Sequence, residues 1–214
     1  MRRLPLCPAL LLLGACFGPP KYNVYVTGYT GGAPSVIPDD ARVAVVENPA
    51  APNPLLEQEI VAKAQQVLAA EGFRIAAADD ADIAVLLTYG TDARLQTTYE
   101  PQFIPGQTSV VKDSLGKVIG SVTGDATFTY QPNVATQDVL WLTMTAVDAH
   151  AYRASKRGKP VWIGESKSSG ANLPLRSMID YLLVPTAWAF GRNQAQMRSV
   201  LRADDTAVAA LRRP

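Results

Sequence analysis

Along this chain, apolar residues alternate or recur in patterns that mark a series of short strands and two main helices. The run Arg42-Val43-Ala44-Val45-Val46 is β-branched and compact, and it reads as a strand. A turn containing Pro49 and Pro52 follows, and then the clearest helix. Asn53 suits its N-cap, Pro54 its first helical position, and Glu57 and Glu59 its positive end. Leu56, Ile60, Ala64, Val67 and Leu68 form one apolar stripe, and Gly72 fits the left-handed residue beyond the last turn.

Residues 73–78 and 83–89 read as two further strands, separated by Asp79-Asp80-Ala81-Asp82. The stretch 91–123 has a hairpin-like pattern. It predicts a strand at 96–99, an irregular loop over 99–106, a strand at 108–111, the turn Asp113-Ser114-Leu115-Gly116, and a strand at 118–123. Residues 139–149 alternate as a long strand. Leu140, Leu142, Met144 and Ala146 fall on one face, and Trp141, Thr143, Thr145 and Val147 on the other. A turn at Arg157-Gly158-Lys159 leads to a strand at 160–168. A second helix is expected over 175–190, with Ile179, Leu182, Leu183 and Thr186 inward and Pro185 kinking or splitting it. This order predicts an α+β fold: an antiparallel-rich mixed sheet with helices packed on one face.

The first sixteen residues follow another logic. Met1-Arg2-Arg3 is a short positive segment, residues 4–13 are apolar but too few to span a bilayer, and Leu13-Gly14-Ala15-Cys16 has the form of a lipobox. Cleavage between Ala15 and Cys16 would leave Cys16 as an acylated first residue. One acyl chain holds a protein to a membrane only marginally, and a lipoprotein cysteine typically carries more than one. Phe17 rather than Asp at the next position favours the outer membrane of a Gram-negative host, with the protein facing the periplasm. The expected organisation is a signal peptide at 1–15, a lipidated tether at 16–40, an α+β domain at 41–191 and a basic C-terminal tail at 192–214. Within the tether, the alternation Tyr22-Asn23-Val24-Tyr25-Val26 leaves room for an added edge strand.

Charge and cysteine content narrow the function. The chain has 20 Lys+Arg and 19 Asp+Glu, and loss of Arg2 and Arg3 with the signal brings the balance to −1. Such neutrality argues against a dedicated nucleic-acid binder, which needs a basic face for phosphates. Of the two cysteines, Cys7 leaves with the signal and Cys16 is acylated, so no thiol remains for a disulfide, a metal or nucleophilic catalysis.

Candidate chemistry is sparse. Ser114-Leu115-Gly116-Lys117 matches Ser-x-x-Lys and Lys167-Ser168-Ser169-Gly170 faintly echoes Lys-Thr-Gly, but the first lies in a turn and not at a helix start. Asp79, Asp80 and Asp82 lack the spacing and the glycine of a calcium loop. His150 is the single histidine, which excludes paired-histidine zinc sites, and Asp148 is its nearest acid. Trp141, Trp162 and Trp188 fit a sheet–helix core or an apolar cleft. Tyr99, Phe103 and Ile104, between prolines on an expected loop, suit contact with a partner. Arg192, Arg198, Arg202, Arg212 and Arg213 give the tail its basic character, suited to a frayed end or to anionic lipid.

The segments Asn53-Pro54-Leu55-Leu56-Glu57-Gln58-Glu59-Ile60, Glu71-Gly72-Phe73-Arg74, Asp82-Ile83-Ala84-Val85 and Pro160-Val161-Trp162-Ile163-Gly164 resemble the domain-of-unknown-function 4136 lipoproteins, as do residues 142–148 and 179–185. The resemblance spans residues 42–190. Two departures stand out: residues 42–46 carry no Tyr or Trp where the family has an aromatic strand, and 91–123 is longer than usual. The resemblance implies a periplasm-facing α+β lipoprotein domain without established catalysis. The expectation is therefore a non-enzymatic envelope lipoprotein with no cofactor, no metal and no nucleic-acid partner, which binds a membrane through its lipid and an envelope protein or component through its domain. The alternative is a carrier or chaperone for an apolar ligand held in a helix–sheet cleft.

Overall fold

A seven-stranded mixed sheet organises the chain in a computed structural model that describes residues 19–31, 37–38, 40–156 and 158–212. In chain order the elements are β1 (Lys21–Thr30), β2 (Arg42–Val46), α1 (Pro54–Ala70), β3 (Arg74–Ile75), β4 (Ile83–Ile104), β5 (Thr108–Lys112) and β6 (Val118–Thr123). They continue with β7 (Thr127–Asp148), α2 (Ala149–Ser155), β8 (Pro160–Gly170), α3 (Leu175–Trp188), β9 (Gln194–Arg202) and α4 (Thr206–Ala210). The sheet order is β3-β2-β4-β7-β8-β1-β9, while β5 and β6 form a separate hairpin. The pairs β2–β3 and β2–β4 are parallel, and every other pairing is antiparallel.

The α+β expectation holds. Asn53 Oδ1 accepts the Leu56 amide as the α1 cap, and Ile60, Ala64, Val67 and Leu68 are buried. They share one core with Leu140, Leu142, Met144 and Ala146 of β7, the face that alternation assigned to it. From α3, Met178, Ile179, Leu182 and Leu183 complete that layer. The helix runs on through Pro185 as one element. Ring closure removes one backbone donor there, and Thr186 Oγ1 donates to the Leu182 carbonyl at 2.7 Å.

Four expectations need correction. Residues 21–30 are no tether: β1 lies between β8 and β9, and its Val24 and Val26 are fully buried. The C-terminal segment is no frayed tail either, because β9 pairs with β1, and Leu201, Val208 and Leu211 enter the core. The domain therefore runs from β1 to at least residue 212 instead of 41–191. Helices do not share one face: α2 covers a small second cluster of Ala44, Ala84, Val147 and Ala149 on the other side of the sheet. Finally, β4 and β7 are 22 residues each, far longer than their sequence patterns indicated.

Candidate functional site

The extra length of β4 and β7 builds an arm. β4 has β2 as a neighbour only as far as Leu86, and β7 meets β8 only from Asp138 onward. Beyond those limits the two strands pair with each other alone, from Arg94↔Gln137 out to Ile104↔Thr127. This is eleven residues per strand, about 37 Å of ribbon, and the β5–β6 hairpin follows at its far end. No described side chain of residues 91–139 is buried. Leu95 is 76% exposed and Val134 58%, and Val110, Leu115, Val118, Ile119 and Val122 are also exposed.

Register sorts the ribbon into two unlike faces. Cross-strand partners share a face and successive residues change face. One face takes the positions of Leu95, Thr97, Tyr99, Pro101 and Phe103 from β4, opposite Thr136, Val134, Pro132, Tyr130 and Phe128 from β7. None of the ten is charged. The other takes Arg94, Gln96, Thr98, Glu100 and Gln102, opposite Gln137, Ala135, Asn133, Gln131 and Thr129. Charges in the whole arm gather at its base (Arg94, Asp138) and at its distal turn (Lys112, Asp113, Lys117), with Glu100 and Asp125 between.

The base of the arm is pinned. Glu57, 3% exposed in the first turn of α1, accepts the Asn48 amide at 2.9 Å and the Tyr89 hydroxyl at 2.7 Å. Burial first and the Glu57 carboxyl second push the Tyr89 hydroxyl well above the usual tyrosine range. One residue on, Gly90 lies under the Trp141 ring, where an added Cβ would come within 2.8 Å of Cζ2. Glycine is required there by close approach.

The residues singled out from sequence are distributed as follows. Ala15 and Cys16 lie outside the described residues. Tyr99, Phe103 and Ile104 belong to β4 and pair with Pro132, Phe128 and Thr127, so the expected loop is a strand. Their side chains are outside the description. Pro101, one of the prolines that signalled a loop, fits because both ribbon edges are open, and an open edge tolerates a residue without N–H. Ser114 and Lys117 sit in the β5–β6 turn, where Asp113 Oδ1 accepts the Leu115 and Lys117 amides.

Asp82 grips Arg42 through its side chain and its backbone amide. The Arg42 guanidinium holds that carboxyl down at about 2. His150 is exposed on α2, and Asp148 caps that helix by accepting the Ala151 amide at 2.7 Å. Among the described residues, no group of three His, Cys, Asp or Glu is placed to hold a metal ion.

The three tryptophans do not share a cleft. Trp162 is in the core against Phe190 and donates to the Arg192 carbonyl at 2.9 Å. Trp141 is on the opposite face of the sheet, and Trp188 is half-buried on α3. A cavity of about 240 Å³ lies beside Trp188, Phe73 and Phe190, below the roughly 300–1,000 Å³ of typical ligand sites. An open groove between α1, α3 and the chain end holds an ion-pair network. Lys63 Nζ is 2.8 Å from Asp180 Oδ1, outside hydrogen-bond angles and so held by charge, and 2.9 Å from Glu59 Oε1. Arg176 and Arg212 close the network onto Glu59 and Asp180. Burial pulls the Lys63 ammonium down, but Asp180 and Glu59 together outweigh it and hold it above the usual lysine range. Arg198 donates to Asn23 Oδ1, and Arg212 to the Tyr181 hydroxyl, so both serve to tie the chain end down.

No family model and no curated protein matches the chain. Among solved structures, it is similar to a PelC dodecamer from Paraburkholderia phytofirmans at 14% identity and TM-score 0.40, covering 80% of this chain and 99% of that one. It is also similar to a PDZ domain protein from Parabacteroides distasonis at 11% identity and TM-score 0.45, covering 86% of this chain and 40% of that one.

Proposed function

We propose that this chain is a non-enzymatic lipoprotein of the bacterial envelope, of the domain-of-unknown-function 4136 type, anchored through Cys16 and engaging an envelope component through its β-arm. The observation that carries this reading is the arm itself. A ribbon with no buried side chain among the described residues and one face of uncharged positions costs a domain solubility and returns no core packing. Its residues make sense as a contact surface. The lipobox and Phe17 favour the outer membrane, facing the periplasm. The scattered positions of His150, Ser114 and the acids favour binding over catalysis.

Two measurements test the proposal. Mass spectrometry should find acyl chains on Cys16 and none after replacing it with Ser; a variant still lipidated and processed at the same bond refutes the anchor. A photo-crosslinker at Leu95 or Val134 should capture a defined species, lost when Phe103 is changed to Ser. Capture identical in wild type and Phe103→Ser refutes the arm as the contact surface.

A further inference from the structure

We infer that copies of this chain join their arms edge to edge into a closed β-barrel that crosses the membrane holding the anchor. The inference rests on the reading above and names what the arm engages: lipid on its uncharged face and a second copy at each edge. Four observations carry it.

The first is alternation. Ten consecutive cross-strand positions without a charge face one way, and the opposite face is largely Gln, Thr and Asn. That is the pattern of a strand pair with lipid on one side and water on the other. The second is length. Eleven residues per strand match the roughly 9–11 that a tilted strand needs to cross hydrocarbon. No helix among the described residues is long and apolar enough to cross a membrane.

The third is the pair of open edges. In hydrocarbon every backbone N–H and C=O must be paired, and a lone two-stranded ribbon leaves a row of them bare on each side. Only further strands satisfy them. Each copy brings two, and a barrel needs about 16 strands to enclose a water channel, so about eight copies or more are needed. The β4 edge of one copy then meets the β7 edge of the next, a head-to-tail contact that closes into a ring. Pro101 and Pro132 each withhold one N–H from that seam, so pairing is carried by the residues on either side.

The fourth is direction. Tyr25 of β1 is level with Lys167 of β8, which is level with Trp141 of β7. Both β1 and β7 run antiparallel to β8, so stepping back from Tyr25 to Lys21 leads to the level of residue 137, where the arm leaves the sheet. Cys16 precedes Lys21 by five residues, a reach of no more than about 18 Å. The anchor and the arm therefore leave the domain at the same end and meet the same bilayer.

The test uses the full chain, purified with its anchor and reconstituted into phosphatidylethanolamine–phosphatidylglycerol vesicles. Single cysteines at Leu95, Thr97 and Val134, and at Gln96, Gln131 and Ala135, are labelled with a polarity-sensitive fluorophore. The first set should be quenched by a nitroxide in the lipid and the second by aqueous iodide. The unlabelled protein should give stepwise conductance in a planar bilayer, and Leu95→Arg with Val134→Arg should lower its frequency at least about tenfold.

Equal quenching of both sets by iodide places the arm in water, gripping a soluble partner, and overturns the inference. Alternating quenching without conductance means a ribbon lying on the surface and overturns it too. Cys16→Ser separates the two readings. Release of that variant with no alternation in the wild type leaves the anchor standing and the barrel refuted. Alternation and conductance in a wild-type protein whose mass shows no acyl chain on Cys16 leave the barrel standing and refute the anchor.

Discussion

Changing Tyr89 to Phe removes a single hydroxyl from the base of the arm, and the structure sets the size of the effect. Glu57 is 3% exposed, and its Oε2 accepts the Tyr89 hydroxyl at 2.7 Å. The ring of phenylalanine fills the same space, so packing is retained and the loss is that of a short, charge-assisted hydrogen bond. Such bonds contribute about 1.5–3 kcal/mol, because the buried acceptor left behind has no water to replace the donor. With a urea slope of about 2 kcal/mol per molar, the midpoint should fall by roughly 1 M. Urea unfolding in detergent, followed by the fluorescence of the buried Trp162, measures it. A double-mutant cycle with Glu57→Leu isolates the pair, and the two losses should be strongly non-additive. A midpoint shift under about 0.2 M, or additive losses, would falsify the pinning of the arm by this bond.

Other expectations can be read from the same coordinates. Asp180→Ala leaves Lys63 with Glu59 as its remaining carboxylate and should destabilise the domain by about 3 kcal/mol, the low end for breaking a buried pair; a thermal midpoint unchanged from wild type counts against it. Asp82, held near 2 by Arg42, has a folded value below its unfolded one. Its contribution is therefore complete above about pH 4 and lost as pH falls through about 2, which an NMR titration of its carboxyl carbon against Arg42→Ala would show. Tyr89 carries the opposite sign: its raised value means stability declines as pH climbs past about 10, and Glu57→Gln should let it ionise at lower pH, measured by tyrosinate absorbance. Gly90→Ala drives a methyl into the Trp141 ring and should cost about 1–3 kcal/mol, seen as a red shift of Trp141 emission together with lower stability.

What the sequence made legible follows from where each residue buries its side chain. Leu140, Leu142, Met144 and Ala146 alternate cleanly because one face of β7 meets α3 and the other does not. The Asn53 cap and the α1 stripe were equally plain. β1 was obscured by the glycines and prolines on either side of it, although Val24 and Val26 already alternate with polar neighbours. β9 was hidden because its strand, QAQMRSVLR, buries only Leu201 deeply, and an edge strand with arginines along it looks like a solvated tail.

The arm escaped for a different reason. Its two-faced character belongs to no single strand: Tyr99, Pro101 and Phe103 gain meaning only when register sets them beside Phe128, Tyr130 and Pro132. The prolines that open edges tolerate read, in one dimension, as the marks of a loop. Tyr99, Phe103 and Ile104 read in sequence as a loop, and the structure makes them part of a strand.

The pairing of β1 with β8 and β9 also governs when this domain can exist. Val24 finds Ser199 as its partner and Tyr25 finds Lys167, so the first strand to be made waits for the last. Under the proposed export, β1 would reach the far side of the membrane with both edges bare and stay so until β8 and β9 had crossed. Contacts this distant in sequence form slowly. During that interval Val24, Val26 and the unpaired arm are exposed together on the same nascent chain, the state most open to mispairing with a neighbour. An anchor at Cys16, as proposed, would act first on the unfinished protein, by holding β1 at the membrane while the remainder arrives.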